Sequence, residues 1–292
     1  MIPKSVVIAI ILGASAIHLK ADFTDDFQNA LKLYNGGKNE EACEAFTALA
    51  KVAPKPGAKS DALRYAVLGA INAKQFDNAN ELIPQIPRES TKKLCRMNLM
   101  LAQNQPQSVI DTFKDEDLAQ WSDFHIYDAL VARGQAYRRL KQYAEALRDF
   151  RKAEDFTSDP GKKAGVLNLT GGTLQEAGDD EQALVVWRRM EDITPLKGYG
   201  IINDATVNAA RILAKQGKYD EALKEMNKIK LPEAGHWHAK PLVVEAEIYA
   251  AQGRKTEALA KYEEALKGAP EDMKKSIAAA VEKLKQGDNN EK

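Results

Sequence analysis

Residues 130–153 read LVARGQAYRRLKQYAEALRDFRKA, and the order of large and small side chains in this stretch decides the fold. Leu130, Gly134 and Tyr137 precede Ala146, Phe150 and Ala153. The pattern returns as Leu167, Gly171, Leu174, Ala183, Trp187 and Met190, then as Thr206, Ala210, Leu213, Ala222, Met226 and Ile229, and again as Leu242, Ala246, Tyr249, Ala258, Tyr262 and Ala265. First and last members stand 23 residues apart in all four copies, so length varies only between copies. Repetition at this period predicts stacked supersecondary units, none of which buries its apolar face alone.

Within a copy, apolar residues recur at steps of three and four, break, and resume, which predicts two amphipathic helices joined by a short turn. Gly178, Gly217 and Gly253 occupy the break, where a residue free to take positive φ ends a helix at little cost; Lys141 stands there in the first copy. Pro195 and Pro270 follow the second helix of their copies, where a missing amide donor stops it. Gly134, Gly171, Ala210 and Ala246 predict close approach of the paired helices, as do Ala146, Ala183, Ala222 and Ala258 on the second helix. Phe150, Trp187, Met226 and Tyr262 are expected to fill the space between repeats.

These residues resemble the tetratricopeptide repeat, above all Arg133-Gly134-Gln135-Ala136-Tyr137 through Ala153 and Gln216-Gly217-Lys218-Tyr219-Asp220-Glu221-Ala222-Leu223. The resemblance is strong over residues 125–270 and implies an all-α, right-handed α-solenoid of helix-turn-helix repeats. Copies follow one another at 37, 39 and 36 residues, more than the family's 34, which places extra length in the connections. Upstream, residues 22–124 carry a decayed form: Phe27, Ala30, Leu33 and Tyr34 with Gly37, Ala42, Phe46 and Leu49; Leu63, Val67, Ala70, Phe76, Ala79 and Ile83; and Leu94, Met97, Leu101, Val109 and Phe113. Pro84 and Pro87 shorten the second of these units, and Pro106 marks a turn in the third. Residues 271–286 read as an amphipathic capping helix with Ile277, Ala280, Val281 and Leu284 inward, and 287–292 as a disordered polar tail.

Lys4 followed by 13 uncharged residues from Ser5 to Ile17 is too short to span a bilayer and has the form of a secretory signal peptide, residues 1–21, with cleavage expected after Ala21. Retention of this segment as an anchor, which makes the chain a membrane-anchored accessory subunit of an envelope complex, is the alternative. Cleavage leaves 40 basic against 42 acidic side chains, a balance that offers nothing to a nucleic acid. Cys43 and Cys95 are too few for a disulfide framework and are expected as buried thiols.

Catalytic chemistry finds no foothold. Only His236-Trp237-His238 hints at a metal, in a stretch expected to be a loop from Leu231 to Pro241, and it lacks further ligands. Neither Gly171-Gly172 nor Gly198-Tyr199-Gly200 has phosphate-loop spacing, and Asp179-Asp180 and Glu263-Glu264 read as solvated charges at helix ends and faces. The expectation is a non-catalytic scaffold, exported to the periplasm or extracellular space, with no cofactor and no metal. A protein or peptide partner is expected on the concave side, formed by the first helices. Residues beside the small position there are Gln135, Arg138, Asn168, Gln175, Asn208, Arg211, Val243 and Glu247. The resemblance also offers a comparison: the Lys, Asn and Arg set with which some tetratricopeptide proteins clamp the C-terminal carboxylate of chaperones is replaced here by Val131, Gln135, Leu169, Asp204 and Asn208, which disfavours a cochaperone role. Tyr199 and Trp237 offer a second surface in the long connections, and self-association stays open.

Overall fold

A computed structural model describes residues 23–121, 125–193 and 200–286. The leader segment, Pro195, Tyr199 and the tail lie outside them. The described residues are helical without strands and form two compact units, divided after Ala153.

The first unit holds α1 (residues 23–35), α2 (Asn39–Lys51), α3 (Pro56–Asn72), α4 (Phe76–Leu82), α5 (Glu89–Ala102), α6 (Pro106–Phe113), α7 (Ile126–Arg139) and most of α8 (Tyr143–Asp155). The second holds α9 (Pro160–Glu176), α10 (Asp180–Glu191), α11 (Gly200–Lys215), α12 (Tyr219–Met226), α13 (His236–Ala251), α14 (Lys255–Gly268) and α15 (Glu271–Gln286). Odd-numbered helices through α13 are the first helices of their pairs and pack on one another in series, as α3–α5–α7 in one unit and α9–α11–α13 in the other. α15 closes the end of the second unit, burying Ile277 and Val281 against α13 and α14. Pro84 does cut a helix short: α4 ends at Leu82 and a 3₁₀ turn, Ile83–Gln85, takes over. Among the described residues no helix is long and apolar enough to cross a membrane.

One device joins every pair. The residues at the break, Gly37, Lys74, Asn104, Lys141, Gly178, Gly217 and Gly253, all have positive φ between 57° and 83°. One residue further on, the amides of Lys38, Gln75, Gln105, Gln142, Asp179, Lys218 and Arg254 donate to the carbonyls of Leu33, Ala70, Met100, Tyr137, Leu174, Leu213 and Tyr249 at 2.8–3.0 Å. This six-to-one bond, with the shorter bond from the break residue itself, satisfies carbonyls that a helix end leaves open. Seven helix pairs therefore share one turn, although only four turns carry glycine. A left-handed backbone costs a residue with a side chain about 1–2 kcal/mol, and glycine's greater unfolded freedom takes back about 0.4–1 kcal/mol. Lys141→Gly is thus expected to raise stability by about 0.5–1 kcal/mol and Gly178→Lys to lower it by as much, both measured by urea denaturation.

Packing inside a pair follows volume. A Cβ placed on Gly134 would stand 2.6 Å from the Phe150 ring, and one on Gly171 would stand 2.7 Å from the Trp187 ring. Both rings are buried, so hydrogen at this position is what lets the helices close. Ala30 and Phe46 repeat the arrangement, whereas the equivalent residues are Val67 with Ile83 and Met97 with Phe113 in the next two pairs. The sequence signature fades there because the size contrast does, while the turn persists.

Two pairs also carry a buried charge at matched positions. Arg133 Nε and Nη2 donate to the two oxygens of Asp149 at 2.7 and 2.8 Å, and Nη1 donates to the carbonyls of Phe113 and Glu116 at 3.0 and 2.9 Å. Burial works against the guanidinium charge, but Asp149 outweighs it and raises its pKa. At the same two positions in the last pair, Glu245 and Lys261 meet at 2.7 Å with the charges exchanged. Cys43 and Cys95 are free and buried, as their sequence context implied.

Candidate functional site

The eight residues singled out on the first helices are all accessible to some degree: Gln135, Arg138, Asn168, Gln175, Asn208 and Val243 are half-buried, and Arg211 and Glu247 are exposed. Gln135 and Arg138 lie on α7 in the first unit. Asn168 and Gln175 lie on α9, Asn208 and Arg211 on α11, Val243 and Glu247 on α13, all in the second. Helical spacing sets this order, because positions that turn away from the second helix recur at three- and four-residue steps. Val243 also leans on the core beneath α13.

The structure brings Arg211 and Glu247 together: Nη2 lies 3.4 Å from Oε2, with both side chains close to half exposed. Lys240 pairs with Asp204 and Lys215 with Asp180, so α11 is linked by charge to α13 on one side and to the start of α10 on the other. Such pairs contribute little stability individually, about 0–1 kcal/mol. Their effect is to fix which polar groups face outward and at what spacing. The remaining amides, Asn168, Gln175 and Asn208, stand outside these ion pairs and add donors and acceptors to the same helices.

The expected loop from Leu231 to Pro241 needs correction. α13 begins at His236, so His236, Trp237 and His238 form its first turn and Pro241 lies inside it. Pro241 is the sixth residue of the helix, so the Trp237 carbonyl lacks its usual donor four residues on. Trp237 is half-buried rather than a free loop anchor. A Cβ on Gly200 would stand 2.7 Å from its indole nitrogen, and Lys240 lies over its ring at 5.2 Å. His238 is held by the backbone, its ring nitrogens 2.8 Å from the Pro232 carbonyl and 3.2 Å from that of Glu264. Among the described residues no three His, Cys, Asp or Glu side chains gather as a metal site. Asp179 caps α10, accepting from the Gln182 amide at 3.0 Å, which accounts for the acidic pair at that turn.

A cleft of about 740 Å³ in the second unit is bordered by Glu191, Asp192, Ile202, Thr206, Lys228 and Lys230. Lys228 there is already 2.8 Å from Glu191. It joins α12 to α10 in the way that Arg189 of α10 joins Glu154 of α8. The cleft therefore contains a rung of the scaffold rather than a set of converging free groups.

Comparison with known proteins agrees with this geometry. Residues 127–158 match the tetratricopeptide repeat model, and residues 197–286 match the model of a tetratricopeptide repeat-like domain. The chain thus carries tetratricopeptide repeats in these two stretches. Among solved structures, it is similar to a tetratricopeptide repeat protein from Parabacteroides merdae, at 16% identity over 90% of this chain and 98% of the other, with a TM-score of 0.50. The apo form of RapI is similar at 15% identity over 84% of this chain and 75% of that one, with a TM-score of 0.61. PilF of Pseudomonas aeruginosa is similar at 12% identity over 94% and 100%, with a TM-score of 0.53. At these identities the likeness concerns the tetratricopeptide fold. No curated protein matches the sequence.

The buried Arg133–Asp149 pair and the partly buried Glu245–Lys261 pair went unnoticed in the sequence, although it held a signal for them. Arg133 and Asp149 are 16 residues apart, as are Glu245 and Lys261, and both pairs fall on positions where other copies carry Thr170 or Ala209. Opposite charges at one spacing in two copies mark a pair that partners across the two helices.

Proposed function

We propose that this tetratricopeptide repeat protein is a non-catalytic scaffold that binds a partner protein or peptide on its first-helix surface, in the cell envelope or the extracellular space. The observation that carries this reading is the alignment of α9, α11 and α13, whose outward positions hold Asn168, Gln175, Asn208, Arg211 and Glu247 at fixed spacing. A preformed polar surface on packed helices binds with little rearrangement and selects by hydrogen bonds and charge. Gln135 and Arg138 offer the same chemistry on α7 of the first unit. The location rests on the leader-like residues 1–21, and intact mass of the chain purified from its native source tests it: loss of those residues is the expected result.

Because Arg211 faces Glu247, a single charge reversal would place two carboxylates together and disturb the helices themselves. The pair exchange Arg211→Glu/Glu247→Arg keeps the ion pair and inverts the surface pattern. It is expected to leave helix content and unfolding temperature unchanged while reducing capture of a partner from the native envelope by about tenfold, the effect of some 1.4 kcal/mol of lost complementarity. Capture unchanged in both this variant and Asn168→Ala/Gln175→Ala/Asn208→Ala would remove the first-helix surface from consideration.

A further inference from the structure

The first unit closes over its own first-helix face. Arg64 of α3 reaches Asp128 of α7, Nη2 to Oδ2 at 3.4 Å, although α5 packs between those helices. Arg88, at the start of α5, meets Asp61 of α3 at 3.4 Å, and its amide donates to Ser60 Oγ at 3.0 Å. Beneath this cover, Thr91 and Cys95 on α5 are fully buried one helical turn apart, and His125 is 4% exposed. Thr91 Oγ1 and His125 Nε2 are 2.8 Å apart. Two of the buried polar atoms without a hydrogen-bond partner lie here, His125 Nδ1 and Arg64 Nε.

The closure is thus weakly held and costly to keep. An ion pair of this length and partial exposure contributes about 0–1 kcal/mol, whereas each buried polar atom without a partner costs about 1–3 kcal/mol. Opening would hydrate both atoms. Such a balance permits a second, opened arrangement within a few kcal/mol of the first.

We propose that this cover is an acid-released latch, in which protonation of His125 frees α3 from α7 and uncovers the inner side of α5 around Cys95. Burial, and then the nearby Arg64, hold the His125 pKa below its ordinary 6.5, with Arg88 acting in the same direction and Asp128 and Asp61 opposing it. Closed, the imidazole stays neutral; opened, it takes a proton at its ordinary pKa. The opened form therefore gains about tenfold per pH unit as pH falls below about 6.5, until the closed form's own lowered pKa is reached. Above that window the latch is at full strength.

Cys95 and Cys43 supply the readout within one molecule, since both thiols are buried in the same apolar core but the Arg64 charge acts on Cys95 and is not among those acting on Cys43. The full chain is treated with dithiodipyridine, which reacts with thiols in acid, and each cysteine is quantified by mass spectrometry. Cys95 modification is expected to rise about tenfold per pH unit below pH 6.5 while Cys43 stays protected. His125→Gln, which keeps a polar group beside Thr91 but takes no proton, removes the rise, and Asp128→Asn increases Cys95 labelling already at neutral pH. If His125→Gln fails to fold, amide exchange in wild-type α5 and α2 across the same range decides, with acceleration beyond the intrinsic rate expected in α5 alone. Protection of Cys95 down to pH 4.5, or labelling and exchange that rise together at Cys43 and α2, would overturn the proposal.

Discussion

Replacing Arg133 with Met destabilises the first unit by an expected 3–5 kcal/mol or so, the range for removing one partner of a buried ion pair. Methionine fills nearly the same volume, so the loss is electrical rather than a cavity. Both oxygens of Asp149 would lose their donors while remaining 3% exposed, and the carbonyls of Phe113 and Glu116 would lose theirs. Asp149→Asn gives a smaller loss, because one oxygen still accepts. Arg133→Met/Asp149→Leu should recover most of the stability, since an apolar pair leaves no charge to desolvate. The last repeat offers a sharper comparison. Arg133→Glu/Asp149→Lys copies its Glu245–Lys261 arrangement, yet should recover only part, because a carboxylate at 133 would face the same two carbonyls that Arg133 now satisfies. Urea unfolding followed by circular dichroism, with amide exchange in α7 and α8 as the local measure, ranks the four variants. Equal stability of Arg133→Met and wild type would mean that the guanidinium holds nothing together.

Gly171→Leu in the second unit is expected to cost about 3 kcal/mol or more, by overpacking. A bare Cβ already falls 2.7 Å from the Trp187 ring, and that ring is 1% exposed, with no room to turn aside. Gly171→Ala tests the cause through a change of sign. With Trp187 present it should destabilise, because the clash exceeds the gain of up to about 1 kcal/mol from replacing a mid-helix glycine. In a Trp187→Leu background the same substitution should stabilise, because the clash is gone and the helix preference remains. A thermal-unfolding cycle over the four combinations measures the coupling directly. A Gly171→Ala effect of one sign in both backgrounds would show that the glycine serves something other than the tryptophan.

How far the sequence could be followed depended on what each feature asks of a side chain. Close approach at Gly134 and Gly171 demands the absence of one, so it was legible, and with it the helix pairs from residue 125 onward. The turns at Lys74 and Asn104 are held by backbone bonds that any residue tolerating positive φ can complete; only where glycine stood, as at Gly178, did the letters announce them. The start of α13 was placed too late because Pro241 reads as a boundary, whereas the helix begins five residues before it and runs through it. On the candidate surface, periodicity separated outward from inward positions, which is why none of the eight residues is fully buried. Pairing across helices is a different matter: Arg211 with Glu247, or Arg64 with Asp128, depends on how helices far apart in sequence lie side by side, and no local pattern encodes it.

The seven identical turns also say where this chain tolerates being cut and joined. Each turn is three residues long and closed by its own backbone bonds, so an insertion there would sever the bond that makes two helices a pair. The stretches between pairs share no such turn, and their lengths already differ, from four residues at 52–55 to twelve at 114–125. The hairpin is therefore the unit of exchange. A reporter domain, a protease site or a transplanted repeat belongs in the connections, where the chain has already shown that it keeps no fixed count.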